Sequence, residues 1–287
     1  MVTVHTVLLV FLMMLTGNEN IDKLSLVAST PADLPLRKTL NIDPALAVDF
    51  IRWRLELKNN QFELSLNYGE SQPNTMGFKS GDISSTYRGR YTVAFSPEYN
   101  TDIYTLKSDQ LGNELALLKI NNNIYQILET SSSLMNGNGG WSYTLNNTNP
   151  ETKPYPSALT FHTTKHPARR IIYDGRTPCE EFSSEYKLAV TPGCFKLKWR
   201  LILEFDSITQ KPGSYSLRHY EGSGKWTIVT GSTKFPNAEI YQLNPGDPEH
   251  SISFLKGDNN VLYFLDKDFN LLVGNKDFSY TLNQVKQ

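Results

Sequence analysis

The side chains with the most latent chemistry in this chain are two cysteines, Cys179 and Cys194, with fourteen residues between them. Such a pair can close one disulfide or present two thiolates to a soft ion such as Cu(I). The spacing lacks the close Cys pairing that makes a thiolate metal site convincing. His162 and His166 stand four apart, a spacing that puts two imidazoles on one helix face as zinc ligands. Pro154, Pro156 and Pro167 surround them and argue against that helix. Gly222-Ser223-Gly224-Lys225 echoes a phosphate loop, but His219 replaces its first Gly and Trp226 its Mg²⁺-binding hydroxyl residue. A hairpin turn is the expectation there. Asp266, Asp268 and Asn270 begin like a calcium loop, yet Leu271 replaces the required Gly and Asp277 the closing Glu. A polar hairpin tip is expected instead. The sequence carries no Gly-x-Ser-x-Gly elbow and no His-Glu-x-x-His. Paired acids for glycoside hydrolysis need not be close in sequence and stay open.

The elements that position these side chains come in two sets. Residues 104–146 align without a gap on residues 241–283, and 15 of the 43 positions are identical. The ends match best: Gly137-Asn138 then Trp141-Ser142-Tyr143-Thr144-Leu145-Asn146, against Gly274-Asn275 then Phe278-Ser279-Tyr280-Thr281-Leu282-Asn283. Upstream, Trp53-Arg54-Leu55 matches Trp199-Arg200-Leu201, and Thr30-Pro31 matches Thr177-Pro178. A repeat this long describes two closed domains and not a solenoid. The expected division is an export signal and leader at 1–25, a first copy at 26–148, a proline-rich linker at 149–170 and a second copy at 171–287.

The repeat also acts as an internal control on the cysteines. Cys179 aligns with Ala32 and Cys194 with Val48 or a neighbour, so both thiols are absent from the first copy together. Paired loss is what a disulfide predicts, because losing one partner leaves a reactive thiol.

Within the second copy, Leu197, Trp199, Leu201, Leu203 and Phe205 alternate with Lys196, Lys198, Arg200 and Glu204. A period of two marks a strand with one wet face. Further runs follow at about ten-residue spacing, separated by turn signals such as Lys211-Pro212-Gly213. The expected fold is all-β: two tandem antiparallel barrels of about seven to eight strands each. A short helix fits only ahead of the long strand, after Cys179 in copy two and in copy one with Asp43 as N-cap and Pro44 as first residue. Trp53, Trp141, Trp199 and Trp226 fall in strand runs and read first as core. If a barrel is open, Trp53, Trp199 and Trp226 are candidates to line a cavity for a small apolar ligand.

Residues 7–15 form an apolar run too short to span a bilayer and suited to an export signal. Leu15-Thr16-Gly17 resembles the end of a lipobox, with Asn18 where the lipidated Cys would stand. The Asn146-Asn147-Thr148 sequon has meaning only in a eukaryotic secretory route. With 28 Lys+Arg against 29 Asp+Glu, the chain has no broad electrostatic grip on nucleic acid. No integral membrane span is expected, and the partner is a protein or a small ligand.

The second copy resembles the N-terminal domain of the copper resistance lipoprotein NlpE family. The resemblance rests on Gly175-Arg176-Thr177-Pro178-Cys179, Trp199, Tyr215, Gly224-Lys225-Trp226, Tyr241-Gln242-Leu243, Phe264-Leu265-Asp266 and the closing Ser279-Tyr280-Thr281-Leu282-Asn283. It covers most of copy two, and copy one looks like a degenerate second copy. That family's small lipocalin-like barrel opens with Leu-Pro-Cys-x-x-Cys. Here the close pair is reduced to Thr177-Pro178-Cys179, with the second cysteine at Cys194. The resemblance implies a non-enzymatic protein of the gram-negative envelope, periplasmic or tied to the outer membrane, concerned with copper tolerance or surface-stress sensing.

Overall fold

A computed structural model describes residues 23–129, 133–152, 156–161, 169–218 and 222–286. The apolar run at 7–15, Asn18, His162 and His166 lie outside the described residues. The first copy holds β1 (Leu24–Pro31), β2 (Phe50–Lys58), β3 (Gln61–Gly69), β4 (Ile83–Ser96), β5 (Thr101–Lys107), β6 (Leu115–Lys119), β7 (Ile124–Ile127) and β8 (Thr144–Asn147). The second holds β9 (Arg170–Thr177), β10 (Leu197–Phe205), β11 (Pro212–Arg218), β12 (Gly222–Thr230), β13 (Glu239–Leu243), β14 (Ile252–Lys256), β15 (Val261–Phe264) and β16 (Thr281–Gln284). Each set pairs antiparallel in chain order, and β8 on β1 and β16 on β9 close two eight-stranded barrels. Closure removes the unpaired edges an open sheet would leave.

Alternation builds the interiors. Trp53, Leu55 and Leu57 of β2, and Trp199, Leu201 and Leu203 of β10, point inward and are nearly inaccessible to solvent. Both tryptophans need an acceptor for a buried indole N–H. Thr30 Oγ1 accepts from Trp53 Nε1 at 2.8 Å, and Thr177 Oγ1 from Trp199 Nε1 at 2.9 Å. The Thr-Pro match between the copies is therefore the match of an indole acceptor.

A six-residue helix follows the first strand of each barrel. In copy one it is α1 (Leu34–Thr39), with Asp33 as N-cap accepting from the Leu36 N–H. The expected helix at Asp43-Pro44 does not form; that segment is a turn in which Asp43 accepts from the Ala45 N–H. In copy two, α2 (Glu180–Glu185) follows Cys179 as expected. Leu36 of α1 and Phe182 of α2 enter the barrel cores. The Gly222–Lys225 stretch lies inside β12 and not in a turn, since all four residues pair with β11 from Leu217 back to Ser214, and Asn244 Oδ1 occupies the space a Cβ would need at Gly224. Asp266 does sit at a polar tip, its Oδ1 accepting the N–H groups of Asp268 and Asn270 at 2.9 and 2.7 Å.

The barrels are joined along a buried seam. Leu118, Ile120, Ile124 and Leu128 of the first pack with Ile240, Leu255, Val261 and Tyr263 of the second in one apolar cluster. Leu159, from residues 149–170, is fully buried in it, and Ser157 and Thr160 donate backbone N–H bonds to Lys234 O and Tyr99 O. This part of the linker is thus tied to both barrels. Equivalent residues meet across the seam: Ser142 with Ser279, Thr144 with Thr281 at 3.2 Å, and the Tyr263 hydroxyl with Gln126 Oε1 at 3.2 Å. Each pair is 137 residues apart, the offset of the repeat. Contacts between equivalent positions place a pseudo-two-fold axis here, so the seam is isologous within one chain.

Candidate functional site

Cys179 and Cys194 form a disulfide with a Cα separation of 6.0 Å. It ties the N-cap of α2 to the turn before β10 and so orders the approach to Lys196 and Leu197. Ala32 and Val48 stand at the corresponding places in copy one, where they pack half-buried against the core. In this state neither sulfur is a thiolate. Among the described residues, no three His, Cys, Asp or Glu side chains converge as a metal-binding group.

Trp53, Trp199 and Trp226 are all inside the barrels, at 1%, 3% and 3% exposure. Trp226 Nε1 donates to Glu204 O at 3.0 Å. Phe182, Trp199, Phe254 and Phe264 form a chain of rings with centroids 4.6–5.3 Å apart, the spacing of well-packed aromatic pairs. Trp141 differs from its expected core position. It precedes β8, and its ring is half-buried at the mouth of the seam.

There the two barrels leave a cleft that no local pattern announces. Phe50 and Arg52 come from β2, Met76 from the loop after β3, Trp141 from the turn before β8, Arg176 from β9, Lys196 from before β10, and Asp277 from the turn before β16. Its enclosed space is about 20 Å³, room for one water-sized group. One wall is a ring stack, with Phe78 on Phe50 at 4.4 Å and Phe50 on Trp141 at 4.8 Å, both within 6° of parallel. The Arg176 guanidinium carbon lies 5.5 Å from the Trp141 centroid, extending the stack by a cation–π contact.

Charge in the cleft is unbalanced. Asp277 is buried, and its two oxygens accept from Arg52 Nη2 and from Lys276 Nζ, each at 2.7 Å. Arg52 also donates to Met76 O, while its Nε is buried without an acceptor. Arg176 and Lys196 have no carboxylate partner among the described residues. Desolvation pulls both groups below their ordinary values, and for Lys196 the neighbouring Arg176 and Lys198 charges add to it. Such a surface favours a bound negative charge.

Comparison of the chain with protein-family models, with curated proteins and with solved structures finds no match.

Proposed function

We propose that this protein is a non-catalytic binding or adaptor module of the gram-negative cell envelope, serving surface-stress sensing or copper tolerance as its resemblance to the NlpE family implies. The observation that carries the reading is the Cys179–Cys194 disulfide, since such bonds form and persist in oxidising compartments. Among the described residues no helix is long and apolar enough to cross a membrane. Direct handling of Cu(I) by this pair would require reduction of the bond, because thiolates are the ligands.

Expression of the full chain in a gram-negative bacterium, followed by fractionation and thiol alkylation without reductant, tests the location. Recovery in the envelope or periplasm with neither cysteine alkylated is expected. Recovery in the cytosol with both alkylated would overturn it. Titration of the reduced chain with Cu(I), against a Cys179→Ala/Cys194→Ala control, tests the copper role. Equal binding by the two proteins removes the cysteines from it.

A further inference from the structure

The outer face of β9 and β10 is a ladder of cross-strand pairs whose charges match until the cleft is reached. Glu204 faces Arg170 and bridges it at 3.1 Å. Arg200 faces Asp174 and holds it with two hydrogen bonds, at 2.8 and 2.6 Å. The next charged pair is Lys198 facing Arg176, with Lys196 two residues further along the same face. Like charges placed directly opposite are destabilising. Among the described residues, none of these three cations has an ion pair or a hydrogen bond from its charged group.

The pseudo-two-fold axis supplies the comparison that gives this imbalance meaning. On one side of the axis, Arg52 of β2 meets the carboxylate of Asp277. Lys198 is the β10 equivalent of Arg52, and Gly140, at the repeat offset, is the equivalent of Asp277. On that side the Arg176 guanidinium stands beside Gly140, with Nη1 3.5 Å from the point a Cβ would occupy. One half of the seam therefore carries a cation with its carboxylate, and the other carries more cations with the carboxylate side chain deleted. The cation–π contact with Trp141 holds the Arg176 guanidinium at the cleft, where its N–H groups have no acceptor among the described residues.

We propose that the cleft between the barrels is an oxyanion-binding site, in which a phosphate or carboxylate group of a ligand takes the place of the carboxylate missing at Gly140, held by Arg176 and Lys196. The small enclosed space admits one oxygen of the anionic head, leaving the rest of the ligand outside against Trp141. A planar guanidinium and a nearby ammonium are suited to this recognition, the first bidentate and the second as a point charge. Nothing in the site depends on the compartment in which the protein works.

Inorganic phosphate is the probe, and the whole chain is the reagent. Phosphate is expected to raise the melting temperature beyond sodium chloride of equal ionic strength. It should bind about tenfold more weakly to Arg176→Gln and to Lys196→Gln, as expected from losing one charge-assisted bond. Gly140→Asp restores the internal carboxylate and is expected to abolish the phosphate response. If that variant does not fold, the two glutamine variants carry the test. Lys211→Gln, remote from the cleft, should respond like the parent. A response no greater than that to chloride, or one equal in the parent and Arg176→Gln, overturns the proposal. Sedimentation with phosphatidylglycerol but not phosphatidylcholine vesicles, lost in Arg176→Gln and competed by free phosphate, assigns the oxyanion to a lipid headgroup. A phosphate response without sedimentation assigns it to a free small anion.

Discussion

Asn146 and Asn283 hold equivalent positions at the ends of the two barrels, and each closes the other barrel's turn. Asn283 Oδ1 accepts the Gly137 N–H and Asn146 Oδ1 the Gly274 N–H, both at 2.8 Å. Asn146 is fully buried, so the sequon beginning there has no accessible amide. Replacing either by Ala removes the acceptor of a half-buried glycine N–H, a cost of about 1 kcal/mol. Asn146→Ala and Asn283→Ala should lower the urea midpoint by similar amounts, since the seam is two-fold. A loss in only one of them would show that the two halves of the seam are not energetically equivalent.

The indole acceptors lend themselves to an additivity test. Thr30→Val and Thr177→Val keep side-chain shape while removing the acceptor for Trp53 and Trp199. Each should destabilise by about 1–3 kcal/mol. The sites lie in separate barrels and share no partner, so the double variant should equal the sum to within about 0.5 kcal/mol. Denaturant unfolding of the two single variants and the double variant measures it.

The barrels were legible in the sequence because β10 has one wet face and so alternates. The pseudo-symmetric seam was legible only as an unexplained likeness: Ser142 to Asn146 matches Ser279 to Asn283 because each copy packs on the other through these residues. β1 is buried along almost its whole length, so its composition has no period to read. α1 was misplaced because Asp33-Leu34-Pro35 and Asp43-Pro44 offer similar start signals, and only packing of Leu36 and Leu40 into the barrel chooses the first. The cleft could not be read at all. Its residues come from seven separated places in the chain, and the docking of one barrel on the other brings them together.

The disulfide stability prediction follows from chain entropy. Closing a loop with a sequence separation of 15 is worth about 3 kcal/mol in the loop-entropy model. Cys179→Ala/Cys194→Ala should lose about that much stability, and reductant should destabilise the parent while leaving the variant unchanged. Because the bond orders the turn before Lys196, the variant is also expected to bind phosphate less well. Calorimetry with and without reductant, and with and without phosphate, separates the two effects.

Asp258 gives the seam a pH dependence whose sign is set by burial. Desolvation raises its folded value above the ordinary one, against hydrogen bonds from the Asn260 and Leu134 N–H groups that lower it. A carboxyl raised on folding contributes stability below its unfolded pKa, about 3.9, and loses that contribution as pH rises through the folded value. Copy one has Asn121 at this position, where Oδ1 accepts from the Asn123 and Ile124 N–H groups without carrying a charge. Asp258→Asn should therefore gain stability relative to the parent as pH rises from about 4, read as a difference in urea midpoint that widens and then levels off above the folded value. Parallel midpoints across that range would mean that the Asp258 charge is fully compensated in the folded protein.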